Sequence, residues 1–187
     1  VLRGAASSRA GYTKGTLEDW QSQVAKYAEG NSRLAFAMSA AFAPPLLEST
    51  GAESGGFHLV GPSSTGKSTA LGMAGSVWGG GGAAAGYIRP WRATANGLEG
   101  VAEAHSDTLL CLDEIGQAKG TEVGHATYML ANGSGKVRAN RNGDAKPSKQ
   151  WRTIVLSSGE TTLAAKIGED GGRAHPEAGQ LARFADI

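Results

Sequence analysis

One stretch constrains this chain more than any other: Gly61-Pro62-Ser63-Ser64-Thr65-Gly66-Lys67-Ser68-Thr69. It fills every fixed position of the pattern G-x-x-x-x-G-K-[ST]. The apolar run Gly56-Phe57-His58-Leu59-Val60 precedes it and reads as a buried strand. Residues 68–78 follow, with Leu71, Ala74 and Trp78 at helical spacing. Strand, glycine loop and helix together make the context that a phosphate-binding loop requires.

The chemistry follows from the residue types. Gly61 and Gly66 tolerate positive φ and let the backbone approach a polyphosphate closely. The N–H groups of Ser63, Ser64, Thr65, Gly66, Lys67, Ser68 and Thr69 then form an anion nest at the positive end of the following helix. Lys67 reaches the β- and γ-phosphates of ATP, and Ser68 offers its hydroxyl to Mg²⁺. A plain Gly/Ser turn is the competing reading in a chain with 29 glycines. The Lys-Ser offset and the flanking strand and helix weigh against it.

A second stretch, Thr108-Leu109-Leu110-Cys111-Leu112-Asp113-Glu114-Ile115, is an apolar run ending in two acids. It suits a buried parallel strand with carboxylates at its carboxyl end, where open α/β sheets place ligands. Asp113 is expected in the Mg²⁺ shell, and Glu114 as the base that orients and deprotonates the attacking water. An acidic strand end facing solvent is the bland alternative. Ser157-Ser158-Gly159-Glu160 ends a further strand, and Ser158 is placed to sense the γ-phosphate unless this is only a Ser-rich turn.

The bulk properties exclude several classes. A length of 187 residues fits one domain with a proper core. With 19% charged residues and a net charge of +1, any nucleic-acid surface must be local. Cys111 is the lone cysteine, so there is no internal disulfide, and a reducing, cytoplasmic setting is expected. The four histidines are scattered, without zinc-like pairing. No apolar run is long enough to span a bilayer, and no signal peptide is visible. The chain reads as a fragment of a longer protein.

In order, residues 1–15 read as an irregular lead-in and residues 16–187 as one phosphate-loop domain, opened by a helical pair over 16–50. Thr16 caps the first helix with Asp19. Its apolar face is Leu17, Trp20, Val24, Tyr27 and Ala28, with Trp20 and Tyr27 read as core rather than as a base-stacking platform. Asn31 caps the second helix, whose stripe is Leu34, Ala35, Met38, Ala41 and Phe42, and Pro44-Pro45 stop it. Residues 79–86 are a Gly/Ala loop. Residues 87–94 form a strand, at an edge because of Pro90. Asn96 with Glu99 caps a short helix carrying Leu98 and Val101. Residues 122–131 form a helix with Val123, Ala126, Thr127 and Leu130 on one side, and Asn132-Gly133 as its C-cap.

Next comes the one strongly basic block. Asn142-Gly143 signals a β-hairpin whose arms carry Lys136, Arg138, Arg141, Lys146, Lys149 and Arg152 against the single acid Asp144. The block suits a loop gripping nucleic-acid phosphates. It equally suits a hairpin kept soluble by its charge. Thr161 or Thr162 caps a short helix with Leu163 and Ile167. Arg173 and Arg183 remain, and either can serve as an arginine finger toward a neighbouring subunit or as an ordinary surface residue.

Several of these stretches together resemble a known family. They are residues 56–61 with Ser63-Ser64-Thr65-Gly66-Lys67-Ser68, then Trp91-Arg92-Ala93-Thr94, Leu112-Asp113-Glu114-Ile115, residues 130–138, Ser157-Ser158-Gly159-Glu160, and Gly179-Gln180 with Arg183. They resemble an ATPase domain family of unknown function found in helicase- and primase-associated replication proteins of phages, plasmids and integrative elements. The resemblance runs from about Thr16 to the last residue. It implies a helicase-like motor, nucleotide and metal roles for Lys67 and Ser68, and hydrolytic roles for Asp113 and Glu114. It also matches Thr94, Lys136, Arg138 and Arg183 to motif positions, and it favours the hairpin as a DNA loop and Arg183 as the finger. The Gly/Ala tract over 79–86 departs from the pattern.

The combined expectation is an α/β phosphate-loop NTPase of the RecA-like or ring-ATPase type. It has a parallel sheet with helices on both faces, a hairpin insertion, and an extra strand between the phosphate-loop strand and the Asp-Glu strand. Its expected work is ATP hydrolysis driving movement on DNA, as a homo-oligomer or ring on single-stranded DNA. A nucleotide-dependent switch or loader is the main alternative, and a small-molecule kinase a weaker one.

Overall fold

A computed structural model describes residues 13–80, 86–139, 145–169 and 183–187. Its helices are α1 (Leu17–Gln23), α2 (Ser32–Phe42), α3 (Leu47–Thr50), α4 (Lys67–Ser76), α5 (Ala95–Ala104), α6 (Gly120–Asn132) and α7 (Leu163–Gly168). Its strands are β1 (Gly55–Val60), β2 (Ile88–Pro90), β3 (Leu109–Asp113), β4 (Arg138–Ala139), β5 (Ala145–Lys146), β6 (Ile154–Gly159) and β7 (Phe184–Asp186). Five strands make one sheet in the order β2-β3-β6-β1-β7, and every pairing in it is parallel. β6 therefore lies between the phosphate-loop strand β1 and the acid-bearing strand β3, where the extra strand was expected. β2 is an edge strand, which suits Pro90.

Helices cover both faces because the central strands are apolar on both. Leu110, Leu112 and Val155 pack on one side with Leu98, Val123, Leu130, Leu163 and Ile167 from α5, α6 and α7. Leu109, Cys111 and Leu156 pack on the other with Ala37, Ala41, Leu71 and Ala74 from α2 and α4. The alternation is the period of two along a strand. Burial of each such leucine contributes about 1.5–3 kcal/mol. Close approach on the β7 side rests on Gly56, where any Cβ would strike the Phe184 ring.

The N-terminal pair departs from the expected packing. The first helix ends at Gln23, and a 3₁₀ turn over Ala25–Ala28 replaces its second half. α1 buries no residue, and Leu17 and Tyr27 are exposed by 62% and 59%. Tyr27 is thus not core: the change of helix type rotates it outward, with the Lys26 ammonium 5.1 Å from its ring centroid. Trp20 is half-buried and anchors the segment through its indole N–H, which donates to Ser76 Oγ at 2.9 Å. The Thr16 cap forms as expected, with Oγ1 accepting from Asp19 N at 3.1 Å.

In α2 the buried face is Ala37, Ala40 and Ala41, while Phe42 is 54% exposed. Alanines win the interface because small side chains let α2 lie close against Ala70 and Ala74 of α4. α5 is capped by Thr94, whose Oγ1 accepts from Gly97 N at 3.2 Å, and not by Asn96. Asn96 and Glu99 instead meet the hairpin, as described below. α6 buries Val123, Ala126, Thr127 and Leu130 and ends on Gly133 at φ 67, as its sequence implied. β4 and β5 pair antiparallel, which is the expected hairpin, although its Asn142-Gly143 tip lies outside the described residues. Thr162 caps α7, accepting from Ala165 N at 3.1 Å. Among the described residues no helix is long and apolar enough to cross a membrane.

The contact between α6 and α7 separates two glycines by their surroundings. A Cβ on Gly120 would strike the Lys166 carbonyl oxygen, whereas one on Gly124 would stand 3.5 Å from Ile167 Cγ2, an ordinary contact. Gly120→Ala is expected to cost about 1–3 kcal/mol. Gly124→Ala is expected to be neutral or to stabilise by up to about 1 kcal/mol. Urea unfolding midpoints of the two variants against the parent check the pair, and equal midpoints would contradict it.

Candidate active site

β1 ends at Val60, and the chain turns at once into the loop that opens α4. Ser64 and Gly66 both adopt positive φ, at 64° and 90°. Alternating backbone hands of this kind turn successive N–H groups to one side as a nest. The N–H groups of residues 63–68 donate to no protein group among the described residues. Lys67, the first residue of α4, folds back so that Nζ donates to the carbonyls of Gly61 and Pro62 at 2.6 and 2.7 Å. A ring of unpaired donors with an ammonium across its mouth is chemistry for a polyphosphate.

The carboxyl ends of β3 and β6 close the other side. Asp113 Oδ1 accepts from Ser68 Oγ at 3.2 Å and from Ser158 Oγ at 2.5 Å. Ser158 Oγ in turn accepts from Glu114 N at 3.2 Å. Glu114 adopts φ 59, an uncommon conformation for a non-glycine residue, and Oε1 accepts from Gly116 N at 3.1 Å. Its Oε2 accepts no bond among the described residues. The resulting cavity, about 280 Å³, is lined by residues 63–69 with Glu114, Ser158 and Glu160. The structure therefore brings together Gly61, Ser63, Ser64, Thr65, Gly66, Lys67, Ser68, Thr69, Asp113, Glu114 and Ser158. A hydroxyl and a carboxylate side by side are the oxygen donors that Mg²⁺ takes from a protein whose nucleotide supplies the rest.

Two residues at this site escaped the sequence reading. Glu160 lines the cavity, exposed and one residue beyond β6. His58 lies behind the loop, fully buried in β1. Its Nε2 is 3.0 Å from the Thr161 carbonyl, which can only accept, so Nε2 carries the proton. Nδ1 then accepts from Ser157 Oγ, the residue beside Ser158. The signal was a polar residue inside an otherwise apolar strand. Burial holds its pKa below the usual histidine value, against the opposing effect of the Thr161 carbonyl and the nearby carboxylates of Asp186 and Glu114.

The basic block is not the free cluster its composition suggested. Arg138 donates from Nη2 to Glu99 Oε2 and to Asn96 Oδ1, both at 2.7 Å. Glu99 is fully buried, and the Lys136 N–H donates to its Oε1 at 3.3 Å. Burial alone would raise the Glu99 pKa, but these bonds and the charges of Arg138 and Lys136 bring it below the usual value. Lys149 pairs with Glu103 at 2.7 Å, and Arg152 with Asp107 and Glu48 at 3.1 and 3.2 Å. The compensating acids come from α5, from Glu48 of α3 and from the loop at Asp107, so counting Asp144 alone missed them. Lys136 keeps an exposed side chain without a partner among the described residues. Thr94 is the α5 cap. Arg183 lies at the start of β7, at the end of the sheet opposite the phosphate loop, bonded to Asn132 Oδ1 at 2.5 Å and to Glu53 at 3.1 Å. Arg141 and Arg173 lie outside the described residues.

The family model for a domain of unknown function, DUF927, matches residues 4–150. The chain belongs to the DUF927 family. No curated protein matches it significantly. Among solved structures, one described as "SCCmec type IV Cch - active helicase" superposes on 99% of the chain with a TM-score of 0.68 and 25% identity. The DUF927 chain covers 34% of that protein, about a third of its length. NtrX from Brucella abortus in complex with ATP matches more distantly, at a TM-score of 0.46 and 15% identity over 96% of this chain and 39% of that one. The helicase match and the strand order agree on a parallel phosphate-loop architecture for this DUF927 domain.

Two buried histidines give the domain a pH dependence. Burial lowers the pKa of both His58 and His105. Both stay neutral in the folded chain at pH values where the unfolded chain takes up protons, below about 6.5. Their contribution is therefore fully present above about pH 6.5 and is lost as pH falls toward the lowered folded values. The urea midpoint is expected to drop between pH 7.5 and 5.5, and a midpoint constant across that window would contradict the assignment.

Proposed function

We propose that this chain is an ATP-hydrolysing, helicase- or translocase-like motor domain that acts on single-stranded DNA in mobile-element replication. One observation carries the reading: a continuous hydrogen-bonded chain, Ser68–Asp113–Ser158–Glu114, stands at the mouth of a loop of unpaired N–H donors. The likeness to a helicase of a mobile element supports the choice of motor over kinase. In this reading the loop N–H groups and Lys67 neutralise the phosphates, with Lys67 moving from the carbonyls of Gly61 and Pro62 to the nucleotide. Ser68 and Asp113 would hold Mg²⁺, which supplies charge neutralisation at the phosphate oxygens when bound.

Glu114 orients the attacking water through Oε2 and takes its proton, while Oε1 stays fixed on Gly116. The Ser158 hydroxyl, shared between Asp113 and the Glu114 backbone, turns with the state of the γ-phosphate. Arg183 cannot serve its own chain's site from the far end of the sheet. Its place suits the finger of a neighbouring copy, so the working unit is a homo-oligomer or ring.

ATP turnover is expected to rise with single-stranded DNA and to fall with added salt. Glu114→Gln is expected to lose about 100-fold or more. Turnover indifferent to DNA would overturn the motor and favour a nucleotide-dependent switch or loader.

The finger has its own test. Arg183→Ala and Glu114→Gln subunits are each expected to be inactive. Mixed, they are expected to regain part of the turnover, because some interfaces then join an intact Glu114 to an intact Arg183. Absence of recovery in a mixed oligomer would remove Arg183 from the site.

A further inference from the structure

A second, larger concavity, about 540 Å³, lies away from the phosphate loop, between α6 and the segment leading into β4. His125, Tyr128, Met129 and Asn132 form its floor, and Ser134 and Lys136 its rim. Each floor residue has others three and four positions away (His125, Tyr128 and Asn132; His125, Met129 and Asn132), so together they make a single stripe on the face of α6 opposite Val123, Ala126, Thr127 and Leu130. Tyr128 is 48% exposed there, a large ring with no stacking partner among the described residues. Among the described residues no carboxylate lines this concavity.

The local charge is arranged toward an anion. Glu99 stands close behind Gly135, but it is sealed from solvent and held by Arg138 at 2.7 Å. Arg138 is therefore a strut that ties the hairpin base to α5 and silences the one nearby carboxylate. Of the block's other cations, Lys149 and Arg152 are likewise paired, and the side chains of Arg141 and Lys146 lie outside the described residues. Among the described residues the Lys136 ammonium at the rim has no partner. An aromatic face, an unpaired cation and amide and hydroxyl groups, without a competing acid, suit one nucleotide of a single strand.

We propose that this groove is a single-stranded DNA subsite, in which Tyr128 stacks on a base and Lys136 contacts the adjoining phosphate. The proposal rests on the motor reading above and deepens it. It removes Arg138 from the nucleic-acid role, keeps Lys136 in it and adds Tyr128 of α6. It also places the strand on the two elements that join the site's own residues, because α6 begins soon after Glu114 and the hairpin runs into the strand carrying Ser158.

Binding of the full chain to a labelled oligothymidylate, followed by fluorescence anisotropy over a range of salt, tests it. Tyr128→Ala is expected to weaken binding about tenfold, while Tyr128→Phe binds as the parent does. Lys136→Ala is expected to weaken binding and to reduce the slope of log affinity against log salt by about one. An abasic strand is expected to bind the parent and Tyr128→Ala alike. An iodouracil-containing strand is expected to photocrosslink to the parent at Tyr128, which needs no variant to fold. If the parent binds the oligonucleotide and Tyr128→Ala binds it equally well, or the crosslink maps elsewhere, the subsite is overturned and the motor reading stands. If the parent binds no DNA at any salt, both fall together.

Discussion

The carboxylate of Asp113 is the joint on which the site depends. A parallel sheet ends each strand with unpaired backbone groups on one edge, and the loops leaving that edge have no ladder to hold them. Asp113 accepts hydroxyl protons from Ser68 at the start of α4 and from Ser158 at the end of β6. One side chain thereby ties three elements that are far apart in sequence. Hydrogen bonds to a charged acceptor contribute about 1.5–3 kcal/mol each, enough to fix the relative positions of loop and strands. The same bonds hold Ser158 against the Glu114 backbone. The tension of the arrangement shows in the positive φ of Glu114, which only a firmly held surrounding can sustain.

The sequence was most legible where local and global demands coincide. The loop at residues 61–69, the run ending in Asp113 and Glu114, and the cap residues Thr16 and Asn31 each have a signature that needs no knowledge of the rest of the chain, while the sequence narrows the last cap only to Thr161 or Thr162. Placement of the central strands β1, β3 and β6 was also legible, since an apolar run in a parallel sheet must be buried on both faces, whereas the three-residue edge strand β7 went unread. The N-terminal segment was less so. Leu17, Trp20 and Tyr27 share helical spacing, but spacing reports a face only if the helix continues, and the turn to 3₁₀ geometry at Ala25 breaks it. Nothing in the local residues announces that change. Phe42 misled for a different reason: alanines took the interface because α4 presents alanines, a fact of pairing rather than of period.

Charge was the least legible property. A run of cations in sequence says little about the field around it, because the partners come from elsewhere. Glu99, Glu103, Asp107 and Glu48 reach Arg138, Lys149 and Arg152 across separations of 39 to 104 residues. Glu99 is the extreme case. A carboxylate that loses all contact with water is tolerated only if its charge is fully met, and here an arginine and a backbone N–H meet it. Reading Glu99 as half of a helix cap placed it on the surface and left Arg138 free.

That correction changes what the hairpin base is built to do. If Arg138 served a ligand directly, every binding event would strip the partner from a buried carboxylate, at a cost that a single phosphate contact in water does not offset. With Arg138 committed to Glu99, the hairpin base is a rigid arm. Lys136, two residues earlier, is presented from that arm with no side-chain partner among the described residues to abandon. The polar groups that hold a protein's own elements together and those that meet an outside anion are thus kept apart. In the proposed subsite, this separation would let the segment between Glu114 and Ser158 engage a strand without loosening the joint at Asp113.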